Sequence, residues 1–160
     1  MRRMLFKYTK FAALPDELII DILGRVAASS LVDFFNAKLS CKILNQIGED
    51  GYIYQRANLE KIPTANWKPM SHGQKAFLSK CKKYKNPEIM FRKAVVAYFK
   101  ETDIVSCTVN LNKALKLGHF GAIYFTALVI IFIGEDQLKH KGIELMGKLK
   151  RCSNLNEKMP

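Results

Sequence analysis

The sequence predicts an all-α fold, and three observations lead to that prediction. Residues 14–17 (LPDE) and 86–88 (NPE) are helix-start signals. In both, proline suits a position where its missing N–H has no partner, and the acid after it favours the positive end of the helix dipole. Apolar residues then recur at helical spacing. From residue 86 onward the pattern repeats about every 33 residues, which is typical of helical-hairpin repeats.

The first predicted helix is apolar around more of its circumference than a surface helix needs. Its large apolar side chains cover an arc of roughly 200° on a helical wheel. They are Leu18, Ile19, Ile20, Ile22, Leu23 and Val26. A helix in a short domain can bury one stripe in its own core. The width of this arc therefore predicts a second contact surface, such as a partner protein.

Two shorter helices are predicted next. Ser30 caps the second helix, and Asp33 stands three residues later in an acidic variant of the capping box. The apolar residues of this helix recur at helical spacing and are Leu31, Phe34, Phe35 and Leu39. The third helix has a short apolar side formed by Ile43, Leu44 and Ile47.

Residues 14–47 resemble the F-box, the helical module that docks substrate receptors on the Skp-type adaptor of cullin-RING ubiquitin ligases. The family pattern begins with Leu-Pro-x-Glu-Leu, which residues 14–18 match, and continues with Ile-Leu at residues 22–23. Its Ser-Leu pair stands at residues 30–31, and its Cys-Lys-x-Trp element falls on residues 41–44. An ordered series of matched elements is more specific than one short motif.

The chain departs from the F-box pattern at two positions. Ala27 stands where many members have a proline between the first two helices, and Leu44 replaces the usual tryptophan. The second departure leaves open a helical-repeat scaffold whose F-box no longer binds the adaptor. The resemblance implies that a set of residues contacts the adaptor or supports that contact: Leu14, Pro15, Leu18, Ile19, Ile22, Leu23, Leu31 and Phe35. The sequence does not divide this set between the interface and the core of the module.

The segment after the F-box is predicted to be a helical connector, residues 51–85. Residues 52–59 form a short helix, and residues 63–69 form a loop that carries Trp67. Ser71 and Gln74 make a capping box that starts a further helix. The apolar residues of that helix are Phe77, Leu78, Cys81 and Tyr84.

Residues 86–150 are predicted to form two helical hairpins. The apolar residues of the first hairpin are Phe91, Ala94, Val95, Tyr98, Cys107, Leu111, Ala114 and Leu115. Gly118 ends this hairpin. Residues 119–133 form the next helix, which Gly134 ends. The apolar side of the last helix consists of Leu138, Gly142, Leu145 and Leu149.

The two hairpins are related by a shift of about 33 residues, which sets Ile89 on Ala122 and Ala94 on Ala127. Small residues at these positions would let paired helices approach closely. Residues 114–124 (ALKLGHFGAIY) resemble the Sel-one-like subclass of tetratricopeptide-type repeats. With the F-box before it, this half resembles a group of plant F-box proteins of unknown substrate. A generic four-helix bundle is the alternative.

These observations predict four regions. Residues 10–50 form the three-helix F-box, residues 51–85 the connector, and residues 86–150 a short bundle of helical-hairpin repeats. Residues 151–160 are predicted to be a flexible tail.

The chain of 160 residues has a formal net charge of +12, and much of the basic excess lies in residues 56–100. A basic patch with aromatic residues can bind nucleic acid, but it can equally be a solvated helix face or a docking surface for an acidic partner. No recognition-helix or RRM-like pattern is present. A basic helical nucleic-acid-binding protein therefore remains the alternative from another functional class.

Composition and spacing also bear on compartment. The most apolar run, residues 121–134, is shorter than the about 20 residues needed to cross a bilayer, so we expect a buried core helix and no membrane span. The four cysteines are widely spread, without the spacing of a zinc site. This cysteine usage predicts an intracellular protein, in the nucleus, the cytoplasm or both, without a metal or other cofactor.

The sequence contains no pattern of a known catalytic site. There is no GxSxG, Walker-type loop, HExxH or Rossmann glycine run. His119 lies at a predicted helix junction, where it would cap or pack. We therefore expect a non-catalytic F-box substrate receptor that binds a Skp-type adaptor and recruits an unidentified client protein. The resemblance implies a mechanism of proximity, in which the ligase carries the activated ubiquitin and this chain holds the client near it.

Overall fold

The computed structural model describes residues 14–63, 69–101 and 103–156, with only the backbone at residues 101 and 152–156. Every regular element in these residues is helical, so the all-α prediction is confirmed. The elements are α1 (Asp16–Ser29), α2 (Leu31–Ser40), α3 (Lys42–Ile47), α4 (Gly51–Arg56), α5 (His72–Lys83), α6 (Pro87–Val96), a π-helical turn (Ala97–Glu101), α7 (Ile104–Lys116), α8 (Phe120–Ile133) and α9 (Asp136–Asn156). The chain divides into two compact units, the first ending at Asn86 and the second starting at Pro87.

The first unit is built around α1. This helix packs against α2, α3 and α4, and α4 in turn packs against α5. The largest side chains that are fully enclosed here are Phe34, Ile53 and Leu59. Gly24 on α1 allows the close contact with α4, because a Cβ at this position would lie only 3.0 Å from Cε1 of Tyr52.

Local capping in the first unit follows the sequence with one exception. The Ser30 hydroxyl accepts the Asp33 N–H at the start of α2, at 3.3 Å. At α5 the Ser71 hydroxyl accepts the Gln74 N–H, and the Gln74 side chain accepts the Ser71 N–H, which completes the predicted capping box. Pro15 was expected at the first helical position, but it is the N-cap of α1, with an extended ψ of 143°.

The second unit consists of successive helices joined by short connections, so that α6, α7, α8 and α9 pack in antiparallel order. Its buried core is made of small and medium side chains: Met90, Ala94, Ala97, Cys107, Leu111, Ala114 and Ala122. The last two helices approach very closely. A Cβ on Gly142 would lie 2.7 Å from Cγ1 of Ile131, so only glycine fits there.

The predicted repeat of about 33 residues is visible in the helix bounds. α6 begins at Pro87 and α8 begins at Phe120, and the fully buried Ala94 and Ala127 occupy equivalent positions. The repeated unit is a hairpin of two helices, as the sequence indicated.

The prediction that residues 121–134 form a fully buried helix was wrong. These residues form α8 as expected, but only Ala122 and Ala127 are buried, and Phe132 is 80% exposed. The helix is apolar all round, so periodicity gave no sign that one side lacks a cover. In the part of the chain described, no helix is both long and apolar enough to cross a membrane.

Two predicted boundaries differ from the structure. The helix expected at residues 52–59 ends at Arg56. Helix α9 continues to Asn156, so residues 151–156, which were assigned to a flexible tail, are helical. Trp67, the first four residues of the predicted F-box and residues 157–160 lie outside the described residues.

Candidate functional site

Helix α1 carries two apolar rows with different environments. Ile19, Leu23 and Ala27 repeat every four residues and are buried in the first unit. Leu18 and Ile22 of α1, and Leu14 two residues before the helix begins, have the same spacing, but these residues are 51%, 48% and 37% exposed. The wide apolar arc of the sequence therefore contains one row for the core and one row facing solvent, and its remaining members, Ile20 and Val26, are partly buried.

Helix α2 adds a second exposed row. Its Phe34 is buried, whereas Val32, Phe35 and Leu39 are exposed, Leu39 to 84%. We call the two exposed rows of α1 and α2 the apolar face, consisting of Leu14, Leu18, Ile22, Val32, Phe35 and Leu39. Exposed apolar side chains at regular spacing on two packed helices are the kind of surface that marks a protein contact.

The residues predicted from the sequence fall into three groups. Leu14, Leu18, Ile22 and Phe35 belong to the apolar face, and Pro15 is exposed beside it. Ile19 and Leu23 lie in the core, where their contribution is to hold the helix in place. Leu31 is partly buried.

Val32 and Leu39 were absent from the predicted set. Their spacing from Phe35, three residues before it and four after it, places them on the same side of α2. This helical spacing is the sequence signal that identifies them.

Both departures from the F-box pattern lie inside the first unit. Leu44 is buried, and Cys41 caps α3 through its sulfur, which accepts the Leu44 N–H at 3.4 Å. Ala27 lies within α1, is completely buried, and its carbonyl accepts the Asn58 N–H at 2.9 Å. The change from tryptophan to leucine therefore acts on the core at this position, and Ala27 lets α1 continue to Ser29.

Glu49, in the turn before α4, joins three helices of the first unit. Its carboxylate accepts hydrogen bonds from Lys38 of α2 at 2.5 Å, from the Tyr54 hydroxyl of α4 at 2.9 Å, and from Lys80 of α5. Burial by itself would raise the pKa of Glu49, but these hydrogen bonds outweigh it and lower the pKa to about 2. The carboxylate therefore stays ionised and ties α5 to the F-box-like helices.

Helix α5 also contacts the apolar face directly. The ring of Phe77 meets the ring of Phe35 edge-on, with centroids 5.4 Å apart. Phe77 also packs against Tyr54, with centroids 5.7 Å apart. The helix that the sequence placed in a connector is thus part of the same unit as the apolar face.

In the second unit, His119 links two helices. Its Nδ1 accepts the Ala122 N–H at 3.1 Å and so caps α8, while its Nε2 lies 2.7 Å from the carboxylate of Glu88 on α6. The contact with His119, helped by Arg92 and opposed by burial, lowers the pKa of Glu88 to about 2. The expectation that His119 caps a helix is confirmed.

The candidate site in the described residues is a binding surface. The polar clusters around Glu49 and Glu88 hold helices together. Within residues 14–63, 69–101 and 103–156, no three His, Cys, Asp or Glu side chains are grouped so that they could hold a metal ion. Burial raises the pKa of Cys81 to about 12, so this thiol is a protonated core residue.

Comparison with known proteins bears on both units. A family model described as plant tetratrico peptide repeats matches residues 59–159. A putative F-box protein of Arabidopsis thaliana is 28% identical over 138 residues, which cover 86% of this chain and 45% of that protein. A second F-box protein of the same plant is 27% identical over 133 residues, 81% of this chain and 78% of that protein. A third is 28% identical over 123 residues, 74% of this chain and 36% of that protein.

The chain spans less than half the length of the first and third of these relatives. No solved structure matches it. Fold and comparisons together define a class, that of all-α proteins in which helical repeats follow an F-box-like unit. The chain belongs to the plant tetratrico peptide repeat family, and its likeness to three F-box proteins agrees with a plant F-box protein that carries helical repeats. The family match begins at residue 59, inside the segment predicted as a connector.

Proposed function

We propose that this chain is a substrate receptor that docks on a Skp-type adaptor of a cullin-RING ubiquitin ligase. The observation that carries the proposal is the exposed row of Leu14, Leu18 and Ile22, which lies within the F-box-like motif and is separate from the buried row of the same helix. Burying these side chains against a partner would gain about 25 cal/mol for each Å² of apolar surface removed from water.

In this function the second unit holds or positions a client protein. The chain itself breaks and forms no bonds; it raises the effective concentration of a client lysine near the ubiquitin carried by the ligase. The names of the relatives support the adaptor role.

Binding of a purified Skp-type adaptor tests the proposal. The parent chain should bind at micromolar concentration or tighter, and the double variant Leu18→Asp, Ile22→Asp should lose at least about tenfold in affinity, because it places two charges in an apolar contact. The melting temperature should change little, since both side chains are about half exposed.

The matched control is Val105→Asp with Val109→Asp, which introduces the same charges at exposed valines of α7 in the second unit. This variant should bind the adaptor as the parent does. Absence of adaptor binding by the parent, or equal loss in both double variants, would refute the proposed docking face.

A further inference from the structure

Helix α5 lies in a stretch of the chain that has charge of one sign only. Between Glu60 and Glu88 the sequence has no carboxylate side chain, and it contains seven lysines. Within this stretch α5 buries Phe77 and Cys81, which leaves its other sides to solvent. The solvent-exposed surface of α5 is therefore basic.

The lysines of this region divide by role. Lys80 is committed to Glu49 and lies over the ring of Tyr54. Four others, which lie on α5 or within two residues of its end, are exposed and make no ion pair with a carboxylate in the described part of the chain. They are Lys75, Lys82, Lys83 and Lys85, and we call them the α5 lysines.

The position of α5 relates these lysines to the apolar face. The Phe35–Phe77 ring contact and the shared carboxylate of Glu49, which joins Lys38 to Lys80, fix α5 beside α2. A helix is about 10–12 Å across, which exceeds the screening length of about 8 Å at physiological salt but lies well within the length of about 30 Å at 0.01 M salt. The field of the α5 lysines therefore reaches a partner that approaches the apolar face at low salt, and it is largely screened at physiological salt.

The surroundings of α5 favour a protein partner over a nucleic acid. An apolar centre with a charged border is the usual anatomy of a protein interface. Binding of single strands uses exposed aromatic rings on which bases stack. Here Phe77 and Tyr54 are buried, and Tyr84 stacks on Tyr54 with ring centroids 5.9 Å apart.

We infer that the α5 lysines form an electrostatic steering surface, which guides a carboxylate-rich surface of the Skp-type adaptor onto the apolar face. The inference rests on the proposed function, because it takes the adaptor as the occupant of that face. Steering of this kind speeds encounter and leaves dissociation largely unchanged, since the long-range field acts before the apolar contact forms.

Association and dissociation rates of the purified full chain with a plant Skp-type adaptor, measured at several salt concentrations, test the inference. The variant with all four α5 lysines changed to Gln should associate at least about tenfold more slowly than the parent at low salt. Its dissociation rate should stay within about twofold. The difference in association should vanish near 1 M salt, where the screening length is about 3 Å.

A charge-matched control removes the same four positive charges from the second unit. Lys100, Lys113, Lys116 and Lys141 are exposed there, and their change to Gln lowers the net charge equally. This control should associate nearly as fast as the parent. Equal slowing in both variants would show an effect of net charge alone and would overturn the inference.

The remaining outcomes separate this inference from the proposed function. If the parent binds, the Leu18→Asp, Ile22→Asp variant loses affinity, and the α5 variant associates normally, the steering surface is refuted while the docking face stands. A parent chain that does not bind the adaptor refutes both. Tight binding to an oligonucleotide that is lost in the α5 variant but kept in the control assigns these lysines to nucleic acid, which also overturns the inference.

Discussion

At the residue scale, Lys85 occupies a backbone conformation that lysine rarely adopts. It follows α5 with a φ of 55°, while the Asn86 N–H donates to the Cys81 carbonyl and the Lys85 N–H to the Lys82 carbonyl. This bonding pattern is the Schellman ending of a helix, whose left-handed position is usually glycine. The same pattern ends α7, where Gly118 has a φ of 72°.

Lys85→Gly should therefore stabilise the protein. Glycine relieves about 1–2 kcal/mol of left-handed strain and loses part of that gain to the greater freedom of the unfolded chain, so we expect a net gain of about 0.5–1 kcal/mol in the free energy of unfolding. Equilibrium denaturation measures it. Lys82→Gly, within the last turn of α5, is the control and should destabilise by a similar amount. A Lys85→Gly variant that is less stable than the parent would contradict this account.

At the element scale, α1 and α8 show how far periodicity determines burial. Both helices were predicted from apolar residues at helical spacing, and both are present. The two rows of α1 contain the same types of residue, and only the packing of α2, α3 and α4 decides that Ile19 is buried and Leu18 is not. On α8 the apolar residues surround the helix, so the covered side follows from Gly142 of α9, where the backbones come together.

Substitutions on the buried side of α8 should therefore destabilise the protein far more than the same substitutions on its exposed side. Ala127→Glu places a charge at a fully buried position, where the backbone of α9 lies close to that of α8. It should lower the free energy of unfolding by about 3–5 kcal/mol. Phe132→Glu introduces the same side chain at an 80% exposed position and should stay within about 0.5 kcal/mol of the parent. Thermal and urea denaturation distinguish the two. Equal stability of both variants would mean that Ala127 is not in a core.

At the scale of the whole molecule, charge is distributed unevenly over a strongly basic chain. Much of the positive excess lies on solvated helix faces, while two of the 14 carboxylates, Glu49 and Glu88, join different helices. Glu49 joins α2, α4 and α5 of the first unit, and Glu88 contacts His119 in the second. Both have a pKa of about 2, below the ordinary value of 4.5, so each favours the folded state when ionised.

Stability should consequently fall in acid. A carboxyl group whose pKa is lower in the folded state stabilises the fold above its unfolded pKa, and this contribution is lost as the pH falls from about 4.5 toward 2. Glu49→Gln should be less stable than the parent at neutral pH, and the difference between them should shrink over this range. Urea denaturation at several pH values measures it. A difference that is independent of pH would show that the Glu49 charge does not contribute.

The sequence by itself determined that the fold is helical, the caps Ser30, Ser71 and His119, the repeat of about 33 residues and the family, because all of these depend on local spacing and on ordered motifs. It determined which residues of α1 are apolar but not which are buried. It also missed the π-helical turn at Ala97–Glu101, the unusual backbone of Lys85, and the roles of Val32 and Leu39.

Tertiary structure alone decided the division of α1 into a core row and an exposed row, the burial of Leu44 and the joining of α5 to the first unit through Glu49 and Phe77. The physical reason is that burial and ion pairing depend on which helices meet. Lys38 and Lys80 are far apart in sequence from each other and from Glu49, and no local pattern specifies that they converge on one carboxylate.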